Sequence, residues 1–329
     1  MTDVFVLILL SAIGCWSYFF WARKKQIVDI PNERSSHTHS PVRGMGLALL
    51  APVLALIWFE PSRLPMLLGV IIAILTGYFD DRIDLRVYIR LPLYFASVVL
   101  ATYQLFIPMF SETGTILLYA ALIVLAVGIV NTYNFMDGIN GITGLYTLVF
   151  VLCSYFLLTS LSGETTWVYR LVMAVTGFAL VFGSFNYRKK ALAFLGDSGS
   201  VSLGVIVSIL LFLLGITVNH WGVIILLSVY GVDSVSTIIL RLLRRENIFK
   251  AHRSHLYQDL VHVRNWTHMQ VAVLYASLQL IINLIFFNDI LAREVNTFSI
   301  IITLLVLGLA YLLVKKQLGQ LTFNKASNE

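Results

Sequence analysis

Long apolar runs separated by short polar stretches fill the chain from end to end. About 20 apolar residues in a helix cross a hydrocarbon core, and eleven runs approach that length. They occupy residues 4–22, 44–60, 64–79, 91–108, 114–133, 142–161, 168–186, 199–218, 220–240, 269–288 and 297–315. The longest polar stretch, residues 241–268, is too short for a second domain. The pattern predicts an all-α polytopic transmembrane helical bundle of about 11 spans, forming one integral membrane domain over residues 1–329.

The composition of the chain agrees with this pattern. Hydrophobic residues make up 58% of it and charged residues 12%, whereas a soluble domain carries about 25% charged residues. We therefore expect membrane lipids to surround the protein. The first run has no basic start, because Asp3 precedes it, and is predicted to be a retained anchor. Cys15 and Cys153 lie inside apolar runs, which predicts two buried free thiols.

The basic residues fall almost entirely on one side of the predicted membrane. Of the 23 Lys and Arg residues, 20 belong to one side, and only Arg63, Arg170 and Arg293 belong to the other. The positive-inside rule makes the rich side cytoplasmic. We therefore expect the N-terminus outside and the C-terminus in the cytoplasm. The net charge of +6 is then a signal of topology and not of nucleic-acid binding.

Acidic and amide side chains gather at the cytoplasmic ends of four predicted spans. They are Asp80 and Asp81 in GYFDD, Asn131, Asn134 and Asp137 in NTYNFMDG, Asp197 in FLGDSGS, and Asp233 within the ninth span. Magnesium takes one or two carboxylates together with substrate phosphates, and nearby Lys and Arg residues neutralise phosphate oxygens. The cluster predicts a site for a divalent metal and phosphate groups at the cytoplasmic face.

Each of these residues also has a structural alternative. Asp197 stands where a helix cap is expected, and Asp80 and Asp81 could form interface ion pairs with Arg82 and Arg86. The two asparagines of the fifth span could join helices. The aspartate of the ninth span could pair with a basic neighbour, although carboxylates inside a membrane are functional candidates by default.

Two basic loops on the same side add further candidates. The first, DIPNERSSHTHSPVRGMG, contains Arg34, His37, His39 and Arg43, and the second, RRENIFKAHRSHLYQ, contains His252, Arg253 and His255. We expect the histidines of the first loop to be solvated. Those of the second are three residues apart, but no cysteine accompanies them. A phosphate or sugar contact is favoured there over a metal site.

These motifs, in this order, resemble those of the polyprenyl-phosphate N-acetylaminosugar-1-phosphate transferases, the superfamily of MraY and WecA. The resemblance is closest to the WbpL-like O-antigen initiating branch and covers essentially the whole chain. It implies transfer of an N-acetylhexosamine 1-phosphate from a UDP-N-acetylhexosamine to undecaprenyl phosphate or another polyprenyl phosphate, with release of UMP. The implied cofactor is Mg²⁺, with Mn²⁺ as the alternative. The implied location is the bacterial inner membrane with a cytoplasmic active site, and a homodimer is an open alternative to a monomer.

The resemblance also assigns roles to residues, motif by motif. It implies catalytic Asp80, Asp81 and Asp137, a metal ligand in Asp197, and substrate contacts by Asn131, Asn134, Gly138, Ile139, Asn140, Asn186, Phe194, Arg253, His255 and Arg43. The sequence departs from the family in two places. Tyr257 and Gln258 stand where relatives carry histidines, which implies a different sugar pocket. Arg188, Lys189 and Lys190 stand where relatives often have a proline.

Two other functions remain open at this point. A multi-pass membrane transporter would place its polar site near the bilayer midplane, often within internal repeats. No repeat is visible, and most acidic residues lie at the ends of spans. An intramembrane aspartyl protease would explain Asp80 and Asp233 but leaves the basic loops without a role.

Overall fold

The computed structural model describes residues 2–30, 40–110, 113–162, 166–248 and 252–326, and every regular element within these ranges is a helix. The α-helices are α1 (Thr2–Lys24), α2 (Leu50–Phe59), α3 (Leu64–Ile83), α4 (Val87–Phe106), α5 (Thr113–Met136), α6 (Ile142–Ser162), α7 (Thr166–Asn186), α8 (Asp197–Val218), α9 (Ser228–Leu243), α10 (Leu256–His262), α11 (His268–Ala292) and α12 (Thr297–Ala326). Short 3₁₀ segments, Met45–Leu49 and Trp221–Leu227, lead into α2 and α9. The predicted all-α transmembrane bundle is confirmed.

Ten helical segments in the described part of the chain are long and apolar enough to cross a membrane. The second predicted span instead forms the shorter apolar segment Met45–Phe59. It still connects the two ends of the bundle. Its first turn packs on the start of α8, and Glu60, just after it, accepts a 2.6 Å hydrogen bond from Arg170 at the start of α7. Arg170 also donates to Asp3 at the start of α1 over 2.7 Å.

Helix α8 lies at the centre of the bundle. Nearly all of its side chains are buried, as expected for a helix that is apolar on every side. Its serines do not leave polar groups unpaired, because each hydroxyl can bond a carbonyl one turn earlier. Ser202 donates to the carbonyl of Ser198 over 2.7 Å, and Ser208 donates to that of Gly204 over 2.8 Å. This central position fixes the N-terminus of α8 in the middle of one end of the bundle.

The chain between α1 and α2 folds over that same end. Val42 forms an antiparallel bridge with Val28 and a parallel bridge with Ala193. The hydroxyl of Tyr18, in α1, donates a 2.7 Å hydrogen bond to the carbonyl of Arg43. These contacts hold Arg43 beside the start of α8.

Some predictions fall outside the described residues, namely those for Arg34, His37 and His39. The two cysteines are free, as predicted. Cys15 is buried, and Cys153 is half-buried.

Candidate active site

The start of α8 is built around the carboxylate of Asp81. Gly196 precedes the helix with φ +71°, a backbone conformation that favours glycine. Asp81 then accepts hydrogen bonds from the backbone N–H groups of Asp197 (3.1 Å) and Ser198 (3.2 Å). Helix α3 carries Asp81 and approaches closely, because a side chain on Gly77 would overlap the backbone of Asp197. Asp81 is thus the cap of a helix that begins 116 residues later.

The side chain of Asp197 does not cap its own helix, so the structural alternative for this residue is wrong. Its carboxylate accepts a 2.8 Å hydrogen bond from the side-chain amide of Asn134 at the end of α5. On its other side its carboxylate lies beside the carboxyl of Asp80, close enough for the two charges to interact. Two carboxyl groups in contact need a proton or a cation between them. The pair is therefore a candidate cation-binding position.

Two arginines neutralise these carboxylates. Asp80 accepts hydrogen bonds from Arg90 (3.0 Å) and from the backbone N–H of Leu85 (2.8 Å). Asp81 accepts a 3.0 Å hydrogen bond from Arg43. Both carboxylates are nearly inaccessible, each with 2% of its side chain exposed. The structural alternative, in which Asp80 and Asp81 pair with Arg82 and Arg86, is wrong in its partners, since Arg90 and Arg43 take those places.

The loop after α5 is held mainly by contacts to its backbone. The amide of Asn140 donates to the carbonyl of Arg188 over 2.9 Å. Asn186 accepts from the N–H of Gly141 over 2.7 Å and donates to the carbonyl of Ala193 over 2.9 Å. The structure thus places these two asparagines, which the resemblance assigned to substrate contacts, as connectors between this loop and the segment before α8.

The other residues expected near the nucleotide lie around the same loop. Phe194 is half-buried, and its backbone N–H donates to the carbonyl of Val42 over 2.8 Å. Ile139 is buried. Asp137 is partly exposed, and burial raises its pKa to about 8, with the charge of Asp81 adding to the effect.

Tyr257 does not shape a substrate pocket. Its side chain is fully buried, and its hydroxyl donates a 2.9 Å hydrogen bond to the carbonyl of Phe135. Its ring end lies so close to Gly138 that a side chain there would overlap it. Tyr257 therefore joins α10 to the end of α5, and the expectation of a sugar pocket altered by this residue is not supported.

Asp233 is the buried partner of His255, as its structural alternative predicted. The Nδ1 atom of His255 lies 3.2 Å from Oδ1 of Asp233. The same carboxylate accepts a 2.6 Å hydrogen bond from Tyr275 and a 3.0 Å bond from the backbone N–H of Leu256 at the start of α10. The other ring nitrogen of His255, Nε2, is buried and has no hydrogen-bond partner among the described residues.

A cavity of about 840 Å³ lies between α4, α5 and α9. Its polar lining includes Arg90, Asn131, Asn134, His252 and His255. Arg90 and Asn134 also bond Asp80 and Asp197, so the carboxyl pair borders the polar end of this cavity. The rest of its wall is mainly apolar and comes from α5 and α9. We name this space the polar-ended cavity.

The two histidines of the second basic loop lie beside each other, with ring centroids 4.9 Å apart. Burial lowers the pKa of His252 to about 4, with the neighbouring His255 adding to the effect. A neutral His252 can accept or donate a hydrogen bond. Within the described residues no group of three metal-binding side chains of the His, Cys, Asp or Glu type occurs.

The structure separates Arg253 from His255. His255 lines the polar-ended cavity, whereas Arg253 lines a different cavity between α9, α10 and α12. Asn131 does line the polar-ended cavity, but its amide donates to the carbonyl of Val127 in its own helix over 2.9 Å. The predicted site residues thus fall into three groups. Some lie at the carboxyl pair, some connect segments of the scaffold, and Arg253 lines a separate cavity.

Sequence reasoning missed the part that Arg90 plays. It was counted only as a signal of topology, because it lies ten residues from Asp80 across the turn between α3 and α4. No motif links the two positions. The only available signal was its position in the first turn of a span on the basic side.

Comparison with known proteins agrees with this site. Residues 64–215 match the model of the family described as glycosyl transferase family 4. A probable undecaprenyl-phosphate N-acetylglucosaminyl 1-phosphate transferase of Bacillus subtilis is 29% identical over 75% of this chain and 73% of its own length. A decaprenyl-phosphate N-acetylglucosaminephosphotransferase of Mycobacterium leprae is 28% identical over 77% of this chain and 74% of its own length.

A match over a shorter region points the same way. A phospho-N-acetylmuramoyl-pentapeptide-transferase of Carboxydothermus hydrogenoformans is 28% identical over 54% of this chain and 53% of its own length. All three relatives are phosphotransferases by name, which favours an enzyme over the transporter and protease alternatives. The matched region, residues 64–215, contains Asp80, Asp81, Asn134 and Asp197. The chain is thus a multi-pass membrane protein whose residues 64–215 match the glycosyl transferase family 4 model, and its relatives belong to the polyprenyl-phosphate aminosugar-1-phosphate transferase superfamily.

Proposed function

We propose that this protein transfers an N-acetylhexosamine 1-phosphate from a UDP-N-acetylhexosamine to undecaprenyl phosphate or another polyprenyl phosphate, releasing UMP. We place the reaction at the cytoplasmic face of the bacterial inner membrane, where it would initiate a lipid-linked cell-envelope glycan such as O-antigen. The observation that carries the proposal is that Arg90 and Asn134 line the polar end of a cavity with apolar walls and also bond the carboxyl pair, Asp80 and Asp197, beside it.

The cavity suits an acceptor that is a phosphate on a long hydrocarbon chain. Its apolar wall belongs to helices whose outer surfaces face lipid, since Val124 of α5 and Val235 of α9 are 72% and 55% exposed. Burying a prenyl chain against such a wall is favourable by about 25 cal/mol for each Å² of apolar surface removed from water. Its polar end offers Arg90 and the amide of Asn131 to phosphate oxygens.

The carboxyl pair suits Mg²⁺. This ion is usually held by one or two carboxylates, with water and substrate phosphates completing its shell. Asp197 and Asp80 would be the protein ligands, and Asn134 would orient Asp197. When bound, the ion would neutralise charge on the diphosphate. Mn²⁺ also accepts carboxylate and water ligands, so it remains the alternative.

The transfer itself needs position and charge neutralisation more than a strong base. An oxygen of the lipid phosphate attacks the β-phosphorus of the donor. The bond from that phosphorus to the bridging oxygen breaks, and UMP leaves with the electron pair. A phosphate monoester has its second pKa near 6, so the attacking oxygen is already ionised at neutral pH. A double displacement through a carboxylate is the alternative.

The contacts of Asp80 support direct attack. Its two oxygens are engaged by the N–H of Leu85 and the guanidinium of Arg90, and the hydroxyl of Tyr94 lies 3.4 Å from one of them. A carboxylate held in this way is well placed to orient its neighbours and poorly placed to move onto a phosphorus atom. Asp137, at the border of the nucleotide loop, would face the donor side.

The test is release of UMP by the purified full-length protein in detergent micelles. We expect release to require a UDP-N-acetylhexosamine, undecaprenyl phosphate and Mg²⁺ together, and to stop with excess EDTA. A panel of UDP-N-acetylhexosamines would identify the sugar. Absence of UMP with every donor, while the protein remains folded by thermal melting, would refute the proposed reaction.

A further inference from the structure

A second cavity, of about 490 Å³, lies where α9, α10 and α12 end at the same side of the bundle as the carboxyl pair. We call it the basic cavity. Five of its lining residues are cationic, namely Arg241, Arg244, Arg253, Lys315 and Lys316. Asp259 is the single acidic lining residue among the described ones, and Glu246 lies beside Arg241. The cations therefore outnumber the nearby carboxylates by three.

Two of the five cations already have firm partners. Arg241 donates to Glu246 over 3.0 Å and to the carbonyl of Asn247 over 2.6 Å. Lys315 donates to Asp259 over 2.6 Å. These contacts shape the wall of the cavity and account for both carboxylates.

The other three cations have no carboxylate within hydrogen-bond distance among the described residues. Arg244 is no nearer than 4.0 Å to Glu246. Lys316 is exposed and forms no ion pair within the described residues. The Nη2 atom of Arg253 is buried and has no hydrogen-bond partner in the described part of the chain. A buried donor without an acceptor is unfavourable, and more so when it is charged. The basic cavity is therefore suited to an anion that reaches Arg253.

The position of the cavity indicates where that anion comes from. Leu240 and Leu312 belong to its lining. Helix α12 continues from there as a surface of exposed leucines, with Leu309 and Leu313 59% and 58% exposed. A small soluble anion would make no favourable contact with these leucines. A phospholipid can place its phosphate among the cations and an acyl chain along the leucines. Basic pockets between helices near the cytoplasmic surface bind acidic lipid head groups in this manner.

We propose that the basic cavity binds an anionic glycerophospholipid of the surrounding membrane, with its phosphate held by Arg244, Arg253 and Lys316. This lipid is distinct from the acceptor. The basic cavity shares no lining residue with the polar-ended cavity. Helix α9 contributes different sides to the two: Thr237 and Arg241 line the basic cavity, and Ser234 and Ile238 line the polar-ended cavity. In this arrangement Arg253, which lines the basic cavity, binds the phosphate of the phospholipid.

The test is native mass spectrometry of the full-length protein, without substrates, titrated with phosphatidylglycerol or phosphatidylcholine. We expect binding of phosphatidylglycerol to be tighter, and Arg244→Gln combined with Lys316→Gln to weaken it about tenfold or more. The matched control is Lys24→Gln combined with Lys25→Gln. It removes the same charge from exposed lysines at the end of α1 and should leave binding unchanged.

Three results would overturn the proposal. The first is equal binding of the two lipids, and the second is equal loss in the control. The third is displacement of phosphatidylglycerol by UDP-N-acetylglucosamine or by inorganic phosphate, which would assign the cavity to the donor or to a free anion. Because lipid retention is measured without turnover, each result is independent of whether the proposed transferase reaction occurs.

Discussion

The side-chain amide of Asn134 donates a 2.8 Å hydrogen bond to Oδ1 of Asp197, joining the end of α5 to the start of α8. The same amide lies 3.3 Å from the hydroxyl of Ser200. Asn134 thus fixes the direction of the Asp197 carboxylate, which does not cap α8. The carboxylate of Asp197 is therefore available for chemistry, because Asp81 caps α8 in its place.

We expect Asp197→Asn to fold normally and to lose activity by about 10²–10³-fold, as is typical when a group that stabilises developing charge is removed. Folding should survive because Asp81, not Asp197, satisfies the first N–H groups of α8. UMP release and the Tm in detergent measure the two effects. Ser200→Ala removes the uncharged partner of Asn134 and should keep most activity. Turnover of the Asp197→Asn protein near the wild-type rate at millimolar Mg²⁺ would exclude Asp197 from the site.

Two substitutions at His255 separate its two ring nitrogens. His255→Asn places an amide near Nδ1, so it should keep the bond to Asp233 and the Tm. It removes Nε2, which lies at the polar end of the cavity, where the diphosphate of the donor would meet the lipid phosphate. We therefore expect the KM for the UDP-sugar to rise about tenfold, because a hydrogen bond to a charged group contributes about 1.5–3 kcal/mol. His255→Gln places its amide near Nε2 and should instead lower the Tm, since Asp233 loses a partner inside the bundle.

The measurement is steady-state kinetics with each substrate varied separately, together with thermal melting. If His255→Asn raises only the KM for polyprenyl phosphate, the loop contacts the acceptor and not the donor. Equal loss of Tm in both variants would mean that His255 is purely structural.

The raised pKa of Asp137, about 8, makes stability depend on pH. Between about pH 4 and pH 8 the folded protein keeps a proton that the unfolded chain has lost, so stability falls as pH rises through this interval. Asp137→Asn removes this titration. The free energy of unfolding of the Asp137→Asn protein, relative to wild type, should therefore increase with pH by about 1–2 kcal/mol. The expected change is small because Asp137 is partly exposed. Melting curves from pH 5 to pH 8.5 would show it, and parallel pH profiles for the two proteins would contradict the raised pKa.

The orientation in the membrane is open to cysteine labelling. Ser162 and Asn288 are exposed at the end of the bundle opposite the carboxyl pair, and cysteines there should react with an impermeant thiol reagent added to intact cells. A cysteine at Lys189, exposed beside the site, should react only after the cells are opened. Background from Cys15 should be low because it is buried. Labelling of the Lys189→Cys protein in intact cells would place the site outside the cytoplasm.

The sequence was most informative where length and apolar character decide the outcome. The apolar runs became helices, and the polar ends of the third, fifth and eighth spans met because helices that cross together bring their ends together. The directions of individual side chains were not predictable. Arg253 and His255 are two residues apart in one loop yet line different cavities, since the contact of His255 with Asp233 depends on how α9 and α10 pack.

The same limit applies to charge pairs. Asp80 had three arginines within ten residues along the chain, and only packing of α4 against α3 selects Arg90. The role of Asn186 could likewise not be predicted from a sequence motif. Both its amide oxygen and its amide nitrogen form hydrogen bonds with backbone groups of neighbouring segments.

The contact of Arg170 with Asp3 has a consequence for synthesis of the chain. The two residues are 167 positions apart, and a chain grows at about 5–20 residues per second. The first helix therefore waits roughly 10–30 seconds in the membrane before its partner emerges. During that interval its acidic end lacks the arginine that binds it in the folded protein, and any chaperone or insertase that shelters it must release it when the seventh helix arrives.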